Sequence, residues 1–327
     1  MKYFHTPILF QFFDNLETTL EVFKQIKKIK PSKLFLVQDA PRNNVDGESK
    51  RCQNLKEIIE KKINWDCQIN RLYRTENLGP GAGTADAIKW FFDQVEFGIV
   101  LEHDCLPHPD FFNYCETLLI KYMNVSEVKL INGSSYFIDY VSNRMSYHFA
   151  ASGQLWGWAA WKRSFINYEQ DIKKINKVEV LSAINVMFKE IRVREYWYQT
   201  VFWLLENKVN TWDYQLLYMI WINNGLIIVP NVNLISNIGF GQKAIHCKDL
   251  NSPLANSSVN NILPLVHPTK IKYLHKSDTN YHDNFLNKLY NSSIKKLGIY
   301  ETVTNQMKHT LRIVIRKLIS ISIKIFR

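Results

Sequence analysis

The apolar positions of the first hundred residues fall into two alternating kinds of block. Pro7-Ile8-Leu9-Phe10-Gln11-Phe12-Phe13 is a near-continuous apolar run that reads as a buried strand, and Asp14-Asn15 punctuates it. From Thr18 to Ile29 the apolar residues sit at Leu20, Phe23, Ile26 and Ile29 with lysines on the other face, the spacing of an amphipathic helix. The alternation continues with a strand over 33–38, closed by Asp39-Ala40-Pro41-Arg42, a helix over about 50–62, and strands near 67–73 and 97–101. Gly79-Pro80-Gly81-Ala82-Gly83 reads as a plain loop, since no Gly-Lys-Ser/Thr follows, and Thr84 is placed to cap a helix through Phe92. Continuous apolar strands separated by helices predict an α/β fold, a mostly parallel sheet with helices on both faces.

The second half is less regular. An aromatic cluster, Trp156-Gly157-Trp158-Ala159-Ala160-Trp161, precedes a helical region reaching about Asn207. Trp212-Asp213-Tyr214-Gln215 opens a helix that Gly225 ends, and Leu226-Ile227-Ile228-Val229-Pro230 is a short strand. Residues 250–261 have the composition of a loop or linker.

Parallel sheets bind ligands beyond the carboxyl ends of their strands. Carboxylates recur there, around Asp14, Asp39 and Glu102-His103-Asp104, which predicts an acidic pocket at that edge. Glu102 and Asp104, two apart on an extended segment, point to one side and can reach one hard cation or its waters. The plain alternative is that acids end strands because strand ends meet solvent.

Composition narrows the class. In 327 residues, 46% hydrophobic and 22% charged residues are ordinary for a globular protein. No apolar run approaches the ~20 residues of a spanning helix, and no signal-peptide pattern opens the chain. Five cysteines without metal-type spacing predict reduced thiols in a cytoplasmic protein. The formal charge is +11, but six of the 41 basic residues follow Glu301, after which no acid occurs. The remainder carries 35 basic against 30 acidic residues, or +5, so a nucleic-acid footprint is not expected.

Phe97-Gly98-Ile99-Val100-Leu101-Glu102-His103-Asp104-Cys105-Leu106-Pro107 resembles the strand, acidic triplet and Cys-x-Pro segment of GT-A glycosyltransferases, which use nucleotide-diphospho sugars. Residues 230–241, ending Asn237-Ile238-Gly239-Phe240-Gly241 and followed by Ala244-Ile245-His246, resemble the metal-and-phosphate loop of the N-acetylglucosaminyltransferase I type. Bacterial relatives of that type share the stretches seen here at 156–161 and 211–215. The likeness spans roughly residues 5–248, by several motifs in order.

The resemblance implies a GT-A (Rossmann-like) fold and a metal-dependent, inverting hexosyl- or N-acetylhexosaminyl-transfer to a glycan or lipid-linked acceptor, in surface polysaccharide or lipopolysaccharide synthesis. It makes Asp104 and His246 ligands of Mn2+ or Mg2+. Glu102, His103, Gly241, Asp39 and Arg42 become nucleotide-sugar contacts, with Asp39 reading the base and Arg42 meeting phosphate. His103 replaces the family's middle acid, where it is expected either to donate a hydrogen bond or to serve as a softer ligand that favours manganese over magnesium. Asp213 becomes the catalytic base, with Glu195 in reserve, against the plain reading of Asp213 as a helix N-cap. Trp156, Trp158 and Trp161 are candidate acceptor-stacking surfaces, one of the three being expected at the site. The competing classes are a nucleotidyltransferase or sugar-nucleotide hydrolase on the same fold, and a non-catalytic carbohydrate- or membrane-binding protein.

The expected organisation is a GT-A domain over 1–249, an extension over 250–304 and a basic amphipathic helix over 305–327. In that last segment Leu311, Val314, Ile315, Leu318, Ile321 and Ile325 share one helical arc, while Lys308, Arg312, Arg316, Lys317, Lys324 and Arg327 occupy the remainder. Such a helix fits an anionic membrane surface at the inner face of the cell membrane, or alternatively docks on protein.

Overall fold

The computed structural model describes residues 4–135, 145–207, 210–241, 252 and 254–286. The chain divides into two units, Met1–Tyr281 and His282–Arg327. The first holds the α/β core. It takes in the stretch 254–281, where Asp278 accepts from the backbone N–H groups of Ala151 (3.0 Å) and Ser152 (2.7 Å). The expected helix over 305–327 and His246 lie outside the described residues.

The elements follow the expected alternation through the first half: β1 (Ile8–Phe12), α1 (Leu16–Ile29), β2 (Lys33–Gln38), α2 (Glu48–Lys62), β3 (Gln68–Tyr73), α3 (Gly79–Phe92) and β4 (Phe97–Glu102). Asn15 caps α1 by accepting from the Thr18 N–H. One expectation fails here. Gly79 to Gly83 form the first turn of α3, and Thr84 lies buried inside that helix instead of capping it. Then come β5 (Cys105–Pro107), α4 (Asp110–Lys121), β6 (Val128–Asn132), β7 (Tyr147–Ala150) and β8 (Trp158–Trp161). The chain continues with α5 (Lys177–Met187), α6 (Ile191–Asn207), α7 (Asp213–Ile222), β9 (Leu226–Pro230), β10 (Ile235–Asn237) and α8 (His275–Tyr281).

Eight strands form one mixed sheet in the order β3-β2-β1-β4-β8-β6-β9-β7. The strands from β3 to β4 are mutually parallel, β8 runs antiparallel between β4 and β6, and β9 is parallel to β6. The alternation of side chains along each strand divides the core into two layers. Ile8, Phe10, Leu34, Leu36, Ile99 and Leu101 pack with α1, α2 and α4 through Phe23, Ile26, Leu55, Ile59, Phe112 and Leu118. On the opposite face Phe35 meets Phe91 of α3 edge-on at 4.8 Å, and Trp158 lies against Phe165 (5.9 Å) and Trp212 (5.8 Å). The outer strand β3 carries Arg71 and Tyr73, both bound to Glu60 of α2, polar cover that suits an unpaired sheet edge. Among the described residues no helix is long and apolar enough to cross a membrane. The four described cysteines, 52, 67, 105 and 115, are free thiols.

Candidate active site

β4 ends on Glu102, and the turn His103-Asp104 carries the chain into β5 at the ligand edge of the parallel strands. β5 pairs antiparallel with β10, setting Asn237 opposite Cys105. The ribbon is extended by the Ile238 N–H donating to the Asp104 carbonyl at 2.8 Å. Gly239 then donates its N–H to the Asn237 side chain at 2.9 Å and packs on Asp104, where a methyl group at 239 would stand 2.7 Å from the Asp104 β-carbon. The acidic turn and the loop that ends at Gly241 (φ +144°) are thus brought together from positions more than a hundred residues apart. Phe240 of that loop meets Trp156 edge-on at 6.0 Å.

Asp213 is the first residue of α7. The N-cap is Trp212, so the capping role considered for Asp213 does not hold. Its carboxylate accepts from the Thr211 hydroxyl. Around it the Trp212 carbonyl accepts from the Tyr168 hydroxyl at 2.9 Å, and the Thr211 carbonyl accepts from Gln170 (3.3 Å) and Gln215 (2.9 Å). Burial first, and then the charges of Asp104 and Asp213, push the Glu102 carboxyl up to about 8. Three carboxylates from two distant stretches therefore share one electrostatic environment. Among the described residues none of the three forms an ion pair with Lys, Arg or His. Burial likewise raises the Tyr214 and Tyr218 phenols, with neighbouring tyrosines and Asp213 adding to it, so these hydroxyls stay protonated.

Among the described residues no group of three or more His, Cys, Asp or Glu is gathered as a metal cage. The donor chemistry nevertheless suits a hard divalent cation. Magnesium-type sites use one or two carboxylates plus substrate phosphates in place of an all-protein shell, and among the described residues these carboxylates have no cationic partner.

The remaining candidates separate clearly. Trp158 and Trp161, 1% and 2% exposed, are core side chains of β8 with no face to offer a sugar, which corrects their assignment to acceptor binding. Trp156 is half-buried beside Phe240. The Asp39 carboxylate accepts from the N–H groups of Ala40 (3.1 Å), Leu78 (3.0 Å) and Gly79 (2.8 Å), which makes it a support of the α3 N-terminus with few lone pairs left for a nucleotide base. Arg42 pairs with the buried Glu48, with an Nε bond of 3.1 Å to each carboxylate oxygen, while about half of its side chain stays exposed. His103 is half-buried in the acidic turn. Glu195 is exposed on α6, and Asp213 is the second-half carboxylate whose charge reaches Glu102. Sequence reasoning passed over Asn210 and the structural use of Gly79, Gly81 and Gly239, because what each glycine makes room for lies far away in the chain.

The sequence matches no family model and no curated protein. Solved structures that resemble the fold include glycosyltransferases. A mannosyltransferase from Pyrobaculum calidifontis, solved with GDP-Man and Mn2+, is 10% identical over 68% of this chain and 70% of its own, with a TM-score of 0.38. TarS 1-349 of S. aureus is 10% identical over 72% of this chain and 60% of its own, with a TM-score of 0.39. An inositol-1-phosphate CTP transferase from T. maritima is 11% identical over 50% of this chain and 74% of its own, at 0.31. These likenesses concern the layered α/β arrangement alone.

Proposed function

We propose that the protein is a metal-dependent, inverting glycosyltransferase that moves a sugar from a nucleotide-diphospho donor to a glycan or lipid-linked acceptor. The observation that carries the reading is the packing of the Asn237–Gly241 loop on the Asp104 side chain at the ligand edge of the sheet, with the charge of Asp213 adding to the upward shift of the Glu102 carboxyl. In this reading Asp104 and His246 hold Mn2+ or Mg2+, and Glu102 and His103 contact the nucleotide sugar. A bound divalent cation supplies Lewis-acid stabilisation of the departing diphosphate.

Asp213 takes the proton of the attacking acceptor hydroxyl, a role worth roughly 10²–10⁴-fold. The Thr211 hydroxyl, donating to one carboxylate oxygen, orients it and leaves the other oxygen for the acceptor. Trp156, half-buried beside the Asp104 loop, offers the sugar-stacking face that Trp158 and Trp161 cannot. The basic, apolar-striped composition of 305–327 supports an address on the inner face of the cell membrane.

The test is a panel of UDP-, GDP- and dTDP-sugars, with and without Mn2+, scored for nucleoside diphosphate release and for transfer to glycan acceptors. The expected result is metal-dependent turnover of one donor class. Release of pyrophosphate from a nucleoside triphosphate would point to a nucleotidyltransferase, and saturable glycan binding without turnover to a binding protein.

A further inference from the structure

The segment that carries Asp213 is held by the first turn of α3. The Asn210 carboxamide oxygen accepts from the Ala82 N–H at 3.0 Å. A methyl group on Gly81 would lie 2.5 Å from the Asn210 carbonyl carbon and 2.6 Å from the Thr211 nitrogen. One on Gly79, whose φ is +75°, would lie 2.9 Å from the Asn210 carboxamide nitrogen. The two stretches can approach this closely only with glycine at both places. On its other side the same turn is gripped by Asp39, through the N–H groups of Leu78 and Gly79. One residue beyond the contact, Thr211 donates to Asp213. Contacts therefore run without a break from the end of β2, through the α3 turn and Asn210, to Thr211 and Asp213.

We infer that Asn210, with Gly79 and Gly81 making room for it, is a positioning residue that locks the Asp213 segment to the first turn of α3. Asn210 acts through Asp213 and not on the substrate, and the inference rests on the reading of Asp213 as the base. Misplacing a catalytic group by about 1 Å can cost on the order of 100-fold in rate, so a latch of this kind acts mainly on kcat.

Hydrogen exchange on the full-length protein tests the latch without any substrate. In Asn210→Ala and Gly81→Ala, amides of 78–84 and 210–216 should lose protection together while β1 and β4 keep theirs. Loss confined to one of the two stretches would overturn the inference.

Kinetics use the nucleotide sugar turned over best in the panel above, with Mn2+. Asn210→Ala should lower kcat by about ten-fold or more with donor KM within about two-fold, and Asn210→Asp, which keeps the accepting oxygen, should recover most of it. An unchanged kcat in Asn210→Ala also overturns the latch. In an Asp213→Asn background Asn210→Ala should have no further effect, whereas an independent multiplicative loss would mean a merely structural role. A fully active Asp213→Asn protein sinks the base reading instead, and the exchange result then judges the latch alone.

Discussion

Gly239 rests against the carboxylate-bearing side chain of Asp104, in a space that admits no β-carbon. The contact works in both directions. Asp104 fixes where the Asn237–Gly241 loop can lie, and the loop closes one side of Asp104 and limits its rotamers. The β5–β10 ribbon and the Ile238-to-Asp104 backbone bond at 2.8 Å hold both partners, so neither yields easily.

Gly239→Ala should therefore damage the site while sparing the fold. The loop and Asp104 must separate by several tenths of an ångström, which misplaces the carboxylate. Manganese-dependent donor affinity or kcat should fall by about 10–100-fold, with far-ultraviolet circular dichroism unchanged. Wild-type kinetics in this variant would show that the loop contact has no bearing on the site.

Asp104→Ala removes the proposed metal ligand from a half-buried turn and not from the core. Stability should change by about 0.5 kcal/mol or less, since no packed apolar side chain is lost. Manganese-dependent donor binding, followed by calorimetry, should disappear. Binding that survives the substitution contradicts the assignment.

Asp213→Asn is nearly isosteric and keeps an oxygen able to accept from Thr211, so the local geometry should persist. Donor binding should stay at the wild-type level while kcat falls by about 100-fold or more. Activity within a few-fold of wild type would move the search for the base elsewhere, starting with Glu195.

Much of this arrangement could be read from the sequence, for identifiable reasons. The strands of the first half are continuous apolar runs because parallel strands here are buried on both faces, so Ile8–Phe12, Lys33–Gln38 and Phe97–Glu102 announce themselves. The Gly79–Gly83 run misled because its glycines answer a tertiary demand, the approach of Asn210 and Thr211, and not a local turn. Arg42 and Asp39 stand where the resemblance expects nucleotide contacts, yet Arg42 also pairs with Glu48, and Asp39 also holds the α3 N-terminus. No periodicity reports such pairing. Trp156, Trp158 and Trp161 are identical as letters. Only the pairing of β8 between β4 and β6 shows that the latter two are interior.

His148 gives the protein an acid-sensitive joint. It is 6% exposed, its Nδ1 lies 2.7 Å from the Asn231 side-chain oxygen, and its Nε2 lies 2.7 Å from the Ser277 hydroxyl. A neutral ring satisfies both, donating through Nδ1 and accepting at Nε2. Burial lowers its pKa from the ordinary 6.5 to about 4. The unfolded chain therefore binds the proton more readily than the folded one between those values. The contribution is present in full above pH ~6.5 and is lost as pH falls toward 4, with about 3 kcal/mol as its upper limit. Urea unfolding at pH 7, 5.5 and 4.5 should show this decline, and His148→Gln should flatten it. The same slope in both proteins would assign the acid sensitivity to other groups.

The terminal segment is tested by its charge. Six basic residues and no acid follow Glu301, interleaved with Leu311, Val314, Ile315, Leu318, Ile321 and Ile325. At 100° per residue the apolar set shares one arc, although Ile313 and Ile323 intrude on the basic side. Each basic residue near an anionic surface contributes about 1 kcal/mol, so six support reversible attachment that salt should weaken. Full-length protein should sediment with phosphatidylserine-containing liposomes at low salt, and much less at high salt. A chain ending at Thr304 should stay in the supernatant under both conditions. Equal sedimentation of the two would assign this segment to packing or self-association, and would remove the membrane from the protein's proposed address.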